Sequence, residues 1–139
     1  MLVSALLFIS VAAGKPDEAV REITKGSALL RSCRAEIRLM ELPSISLATQ
    51  PDLIDGTFCV GFVNGYTGNL SGTDAPICTK GANMGEVVRA YVNFMARNPD
   101  LLEQDRRVGL RHALMAKFPC PVPSHPRLKD PLAAGPQSI

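Results

Sequence analysis

The chain contains no tryptophan, and aromatic residues make up only 5% of its 139 positions. A core built from it is aliphatic and modest, and a chain of this length forms one domain. Neither sign of charge is in excess: 15 Lys and Arg against 13 Asp and Glu leave a net +2. That gives no electrostatic basis for binding nucleic acid or an anionic membrane. There is no Cys-x-x-Cys pair, no phosphate-cradling glycine loop, no pair of catalytic carboxylates and no heptad repeat. The two histidines, His112 and His125, stand at no ligand-like spacing, so no metal and no cofactor are expected.

Long apolar runs are also missing. The nearest to one is residues 1–14, MLVSALLFISVAAG, which is too short to span a bilayer. Its apolar body and small-residue end match the core and cleavage region of a secretory signal, with Ala12, Ala13 or Gly14 as cut points, although the basic leading residues are missing. A buried N-terminal helix is the alternative. Export agrees with the four cysteines, because disulfides persist outside the cytoplasm. The other end, residues 121–139, carries five prolines without periodicity and reads as a disordered tail. The expected domain is therefore residues 15–120.

The best-defined stretch runs from Cys78 to Cys120. Asn83-Met84-Gly85-Glu86 fits a capping box, in which Asn takes a free backbone N–H and Glu reaches back. Met84, Val87, Val88, Tyr91, Val92 and Met95 follow as a 3.6-residue stripe, and the helix stops at Arg97-Asn98-Pro99. Asn98 and Pro99 then predict the cap and first turn of a second helix. Its apolar stripes are Leu102, Leu110, Ala113 and Leu114, and beside them Leu101, Val108 and Met115. So short a link forces an antiparallel pair. Residue 78 then lies near residue 120, which predicts a Cys78–Cys120 disulfide.

Upstream, Asp17 to about Glu41 is helical in pattern, with an interruption at Gly26-Ser27 where Ser27 caps a fresh turn carrying Cys33. Leu42-Pro43-Ser44 ends it, and residues 43–51 form a loop between prolines. The stretch TFCVGFVNGYTGNLSG is ambiguous. Asn64-Gly65 between apolar runs signals a hairpin. A helix instead places Cys59, Val63 and Tyr66/Thr67 on one face, with Gly61 and Gly65 spaced to admit a close neighbour. Residues 71–83 read as a polar loop.

LLRSC at 29–33, FCVGFVNG at 58–65, IC at 77–78, MGEVVRAYVNFMARNPDLL at 84–102 and ALMAKFPC at 113–120 occur in an order and spacing that resembles the Rap/Tai proteins, immunity proteins against peptidoglycan amidase effectors of bacterial type VI secretion systems. The resemblance covers about residues 24–120. It implies an all-α bundle of about four to five helices stapled by two disulfides, and it decides residues 58–65 for helix. It further implies a periplasmic, non-enzymatic protein that binds a cell-wall amidase effector and obstructs its cleft, with a homodimer left open. The chain departs from the family pattern at Arg106, where a small residue is more common, and in its proline-rich tail.

Four cysteines allow three pairings. Cys33–Cys59 is favoured beside Cys78–Cys120, because each then joins the end of one helix to the next packed element. In the chain-entropy model the two loops contribute on the order of 3.5 and 4 kcal/mol. An enzyme would need a Cys–His pair. His112, however, sits among Arg107, Arg111 and Glu103 on an exposed helix face, and even-numbered exported cysteines are usually cross-linked. Tyr66 and Tyr91 lie in apolar stripes and are read as core. Partner contacts are expected in loops 43–51 and 71–83, with Asp74, Lys80 and Asn83 as the candidate residues. A stress or housekeeping protein of the same fold without an effector is the alternative reading.

Overall fold

The computed structural model describes residues 16–70 and 77–121. The expected signal, the proline-rich tail beyond Pro121 and Asp74 therefore lie outside the described residues. Among the described residues there are five α-helices: α1 (Pro16–Thr24), α2 (Gly26–Glu41), α3 (Gln50–Leu70), α4 (Met84–Arg97) and α5 (Arg106–Lys117). Two 3₁₀ turns, Ile45–Leu47 and Pro99–Leu101, sit in the connections. Among the described residues there is no strand, only isolated antiparallel bridges between Lys25 and Asp105 and between Ile77 and Pro119.

α2 is the central helix. It packs most extensively on α3, and also on α4 and α5. Leu29, Leu30, Cys33 and Ala35 are its buried face. Leu29, Leu30 and Cys33 join one cluster with Cys59 and Val63 of α3, Val87, Val88, Tyr91 and Met95 of α4, and Leu110, Ala113 and Leu114 of α5. Burying each large aliphatic side chain contributes roughly 1.5–3 kcal/mol, so this cluster is the main favourable term in folding. The α4 stripe expected from the sequence is the buried one, and the capping box forms. The Asn83 Oδ1 accepts the Glu86 N–H at 3.0 Å, while Glu86 Oε2 accepts the Asn83 N–H at 3.0 Å.

The stretch with conflicting hairpin and helix signals is helical as far as Leu70, where the described part of it ends. Thr49 starts it, its hydroxyl accepting the Asp52 N–H at 3.3 Å, with Pro51 in the first turn. Thr49-Gln50-Pro51-Asp52 is thus a cap signal in plain view. Asn64 and Gly65 are exposed helix-interior positions, and Asn69 steadies the last turn by donating from Nδ2 to the Gly65 carbonyl at 2.8 Å. The close approach expected at Gly61 and Gly65 occurs elsewhere. Nothing lies within 4 Å of a Cβ built at either. Gly56 instead faces α2, where a Cβ would sit 2.6 Å from Leu39 Cδ1 and 3.3 Å from Glu36 Cα.

Two helix starts differ from expectation for one shared reason. α2 begins at Gly26 behind Lys25, and Ser27 is not its cap. The amides of Gly26 and Ser27 donate to the carbonyls of Gln104 (2.8 Å) and Leu102 (2.9 Å). The Leu102 and Gln104 carbonyls are therefore committed to α2, and the second helix of the pair does not run on from Pro99. Pro99–Leu101 forms only a 3₁₀ turn, and α5 starts at Arg106 behind an Asp105 cap whose Oδ1 accepts the Arg107 N–H at 2.9 Å. Asn98 makes no side-chain cap on that turn; its Nδ2 donates back to the Phe94 carbonyl at 2.7 Å. Leu102, expected on the α5 stripe, is half-buried in the link, whereas Leu110, Ala113 and Leu114 are fully inside.

Candidate functional site

Both expected disulfides are present, Cys33–Cys59 and Cys78–Cys120, and no described cysteine is free. They serve different places. Cys33 and Cys59 are wholly buried and lock α2 to α3. Cys78 is exposed and Cys120 half-exposed, closing the open end of the α4–α5 pair. There the Cys78 N–H donates to the Phe118 carbonyl at 2.8 Å.

This second staple positions the end of the 71–83 loop. Residues 78–83 are held by the disulfide at one end and by the α4 cap at the other, with a turn between them in which Ala82 N–H donates to the Thr79 carbonyl at 3.0 Å. Gly81 takes φ +91°, the left-handed region that glycine adopts without a Cβ penalty. Lys80 is exposed on this turn. Asn83 lies beside it, but its side-chain oxygen is occupied by the cap, so only its amide NH₂ can face a partner. The structure thus brings Lys80 and Asn83 together on a fixed turn.

A second surface had no residue singled out in the sequence. Five large apolar side chains between residues 45 and 58 are exposed: Ile45, Leu47, Leu53, Ile54 and Phe58, with Ile45 at 65% and Ile54 at 64%. The signal was available. Apolar residues of α3 are not confined to one face, so some of them stand away from the core, and Ile45 and Leu47 stand in the SISL loop between prolines. Phe58 and Phe62, one turn apart, lie with ring centroids 6.2 Å apart. Arg106 covers both rings, its guanidinium carbon 4.3 Å from the Phe62 centroid and 5.2 Å from that of Phe58. Its Nη1 donates to the Ile23 carbonyl at 3.0 Å, so Arg106 ties α1, α3 and α5 together. Apolar anchors beside an arginine are the composition of protein–protein hot spots.

Charges around these surfaces are mostly paired. Arg38 bonds Asp52 and holds its carboxyl below the usual range; Arg107 does the same to Asp105. Lys25 joins Glu103 and Glu22, at 2.8 and 2.6 Å, and both raise its pKa. Among the described residues no group of His, Cys, Asp and Glu could hold a metal ion, and His112 is exposed on α5. No described helix is long and apolar enough to cross a membrane. Tyr91 is wholly buried and Tyr66 partly so against the core, as their stripes predicted.

A stapled helical scaffold with exposed apolar side chains between residues 45 and 58 and a tethered turn at Lys80 has the make-up of a small protein-binding module. Residues 25–120 match the family described as Rap1a immunity proteins, and the chain belongs to that family. It is thus an immunity protein for a bacterial effector, in a family whose members are generally non-enzymatic. No curated protein and no solved structure matches the chain.

Proposed function

We propose that the protein is a periplasmic immunity protein that binds a peptidoglycan amidase effector of a type VI secretion system and inhibits it by steric occlusion. The family match over residues 25–120 carries this reading. Two disulfides support the compartment, since such bonds persist outside the reducing cytoplasm. Residues 1–14 act as the export signal, residues 15–120 are the binding domain, and residues 121–139 are a tail beyond it. The apolar face around Ile54 and Phe58 supplies the buried centre of the interface. The 71–83 loop, with Asp74, Lys80 and Asn83, or the 43–51 loop enters the cleft. Blocking a cleft needs a rigid plug, and loops pinned on a stapled scaffold lose little entropy on binding.

The test is protection in cells. An amidase encoded beside this gene, directed to the periplasm, should lyse its host, and co-expression of this protein with its leader should restore growth. Restored growth with the leader deleted, or no protection with it present, would contradict the reading.

A further inference from the structure

Away from the apolar face, α4 and α5 leave a groove of about 520 Å³ between them, within the size range of ligand clefts. Its floor is Ala90, Phe94, Ala113 and Ala116, and Arg89, Arg97 and Lys117 stand around it. Glu86 is the one carboxylate there, and it is already engaged with the Asn83 amide. None of the three cations has a carboxylate partner among the described residues, whereas Lys25, Arg31, Arg38 and Arg107 all do. Three unneutralised cations over an apolar floor are complementary to carboxylates flanking an apolar side chain.

We propose that this groove docks an acidic peptide segment of a partner protein. An apolar side chain of the segment rests on the alanine and phenylalanine floor, and its carboxylates pair with Arg89, Arg97 and Lys117. Arg89 and Arg97 lie eight positions apart on one helix, roughly 12 Å along its axis. An extended segment covers that distance in about four residues, so two acids about four positions apart reach both guanidinium groups. Guanidinium forks hold carboxylates in bidentate fashion, which sets register as well as affinity. The chain's own tail is a poor occupant: residues 121–139 carry Arg127 and Lys129 against the single acidic side chain Asp130. The proposal does not depend on the partner being a cell-wall hydrolase.

The test uses the full oxidised chain and a short fluorescein-labelled peptide with Leu between pairs of Glu, beside a Gln-for-Glu control. Fluorescence anisotropy should show saturable binding of the Glu peptide that weakens as salt is raised, and at least about tenfold weaker binding of the Gln peptide. Arg97→Glu and Lys117→Glu, from opposite walls, should each weaken the Glu peptide about tenfold, while Arg34→Ala, an exposed cation of α2 outside the groove, leaves it unchanged. Both charge-reversed residues are exposed, and circular dichroism confirms that the variants fold. The proposal is overturned by absent or unsaturable binding, equal binding of the two peptides, or insensitivity to both reversals. Equal binding of a single-stranded oligonucleotide overturns it too, as does binding that emerges only when residues 122–139 are deleted, which would give the groove to the tail.

Discussion

Gly56 and Gly61 lie on the same helix under opposite constraints. A methyl at Gly56 would meet Leu39 Cδ1 at 2.6 Å and the Glu36 carboxylate at 2.8 Å, with the α2 backbone close behind. Gly56→Ala should therefore destabilise by about 1–3 kcal/mol, as overpacking does. Gly61 meets nothing within 4 Å, so Gly61→Ala should stabilise by roughly 0.5–1 kcal/mol through the helix preference of alanine. Urea unfolding of the two variants checks both signs. The spacing of Gly61 and Gly65 suggested the wrong pair because a helix whose apolar residues form no single face does not reveal which side its neighbour takes. Tyr91 gives the pH dependence. It is fully buried, its hydroxyl donating to the Gly26 carbonyl at 3.2 Å, and burial pushes its phenol above the ordinary value while Arg106 pulls partly back. Below about pH 10 both states keep the proton. Above it the unfolded chain releases the proton while the folded protein holds it, so stability falls as pH rises. Tyr91→Phe should cost about 1 kcal/mol at neutral pH and flatten that alkaline decline, read by denaturant titration at a series of pH values.

At the scale of elements, the two staples should separate by accessibility. Cys33–Cys59 is wholly buried, while Cys78–Cys120 reaches solvent. Dithiothreitol under native conditions, followed by alkylation and peptide mapping, should label Cys78 and Cys120 first; equal labelling of all four would mean that the α2–α3 core opens as readily as the loop end. The boundaries of α4 were legible because its signals are local: the box Asn83–Glu86 at one end and Asn98-Pro99 at the other. Asn83→Ala should cost about 1 kcal/mol by thermal unfolding. The start of α5 was not legible. It depends on the Leu102 and Gln104 carbonyls capping α2, an interaction across more than seventy positions that no local pattern announces. The α3 helix needed the family resemblance, because Asn64-Gly65 is a strong turn signal that tertiary packing overrides.

At the scale of the molecule, the buried cluster and the two disulfides hold the helices on which the exposed apolar side chains and the Lys80 turn stand. The sequence disclosed the scaffold and a polar loop at Lys80, but not the turn that loop makes at Gly81. It did not disclose the face around Ile54 and Phe58, since an exposed apolar side chain on a helix looks like a buried one until its neighbours are placed. Phe58→Asp should leave folding within about 1 kcal/mol, because the ring is already 42% exposed. It should lower affinity for the effector by at least about tenfold, as loss of a hot-spot aromatic does, measured by isothermal titration calorimetry. The most direct measurement is titration of the proposed amidase effector, hydrolysing purified peptidoglycan, with the oxidised protein. Activity should fall linearly to zero at equivalence. Full amidase activity in the presence of excess folded, disulfide-intact protein would contradict the account.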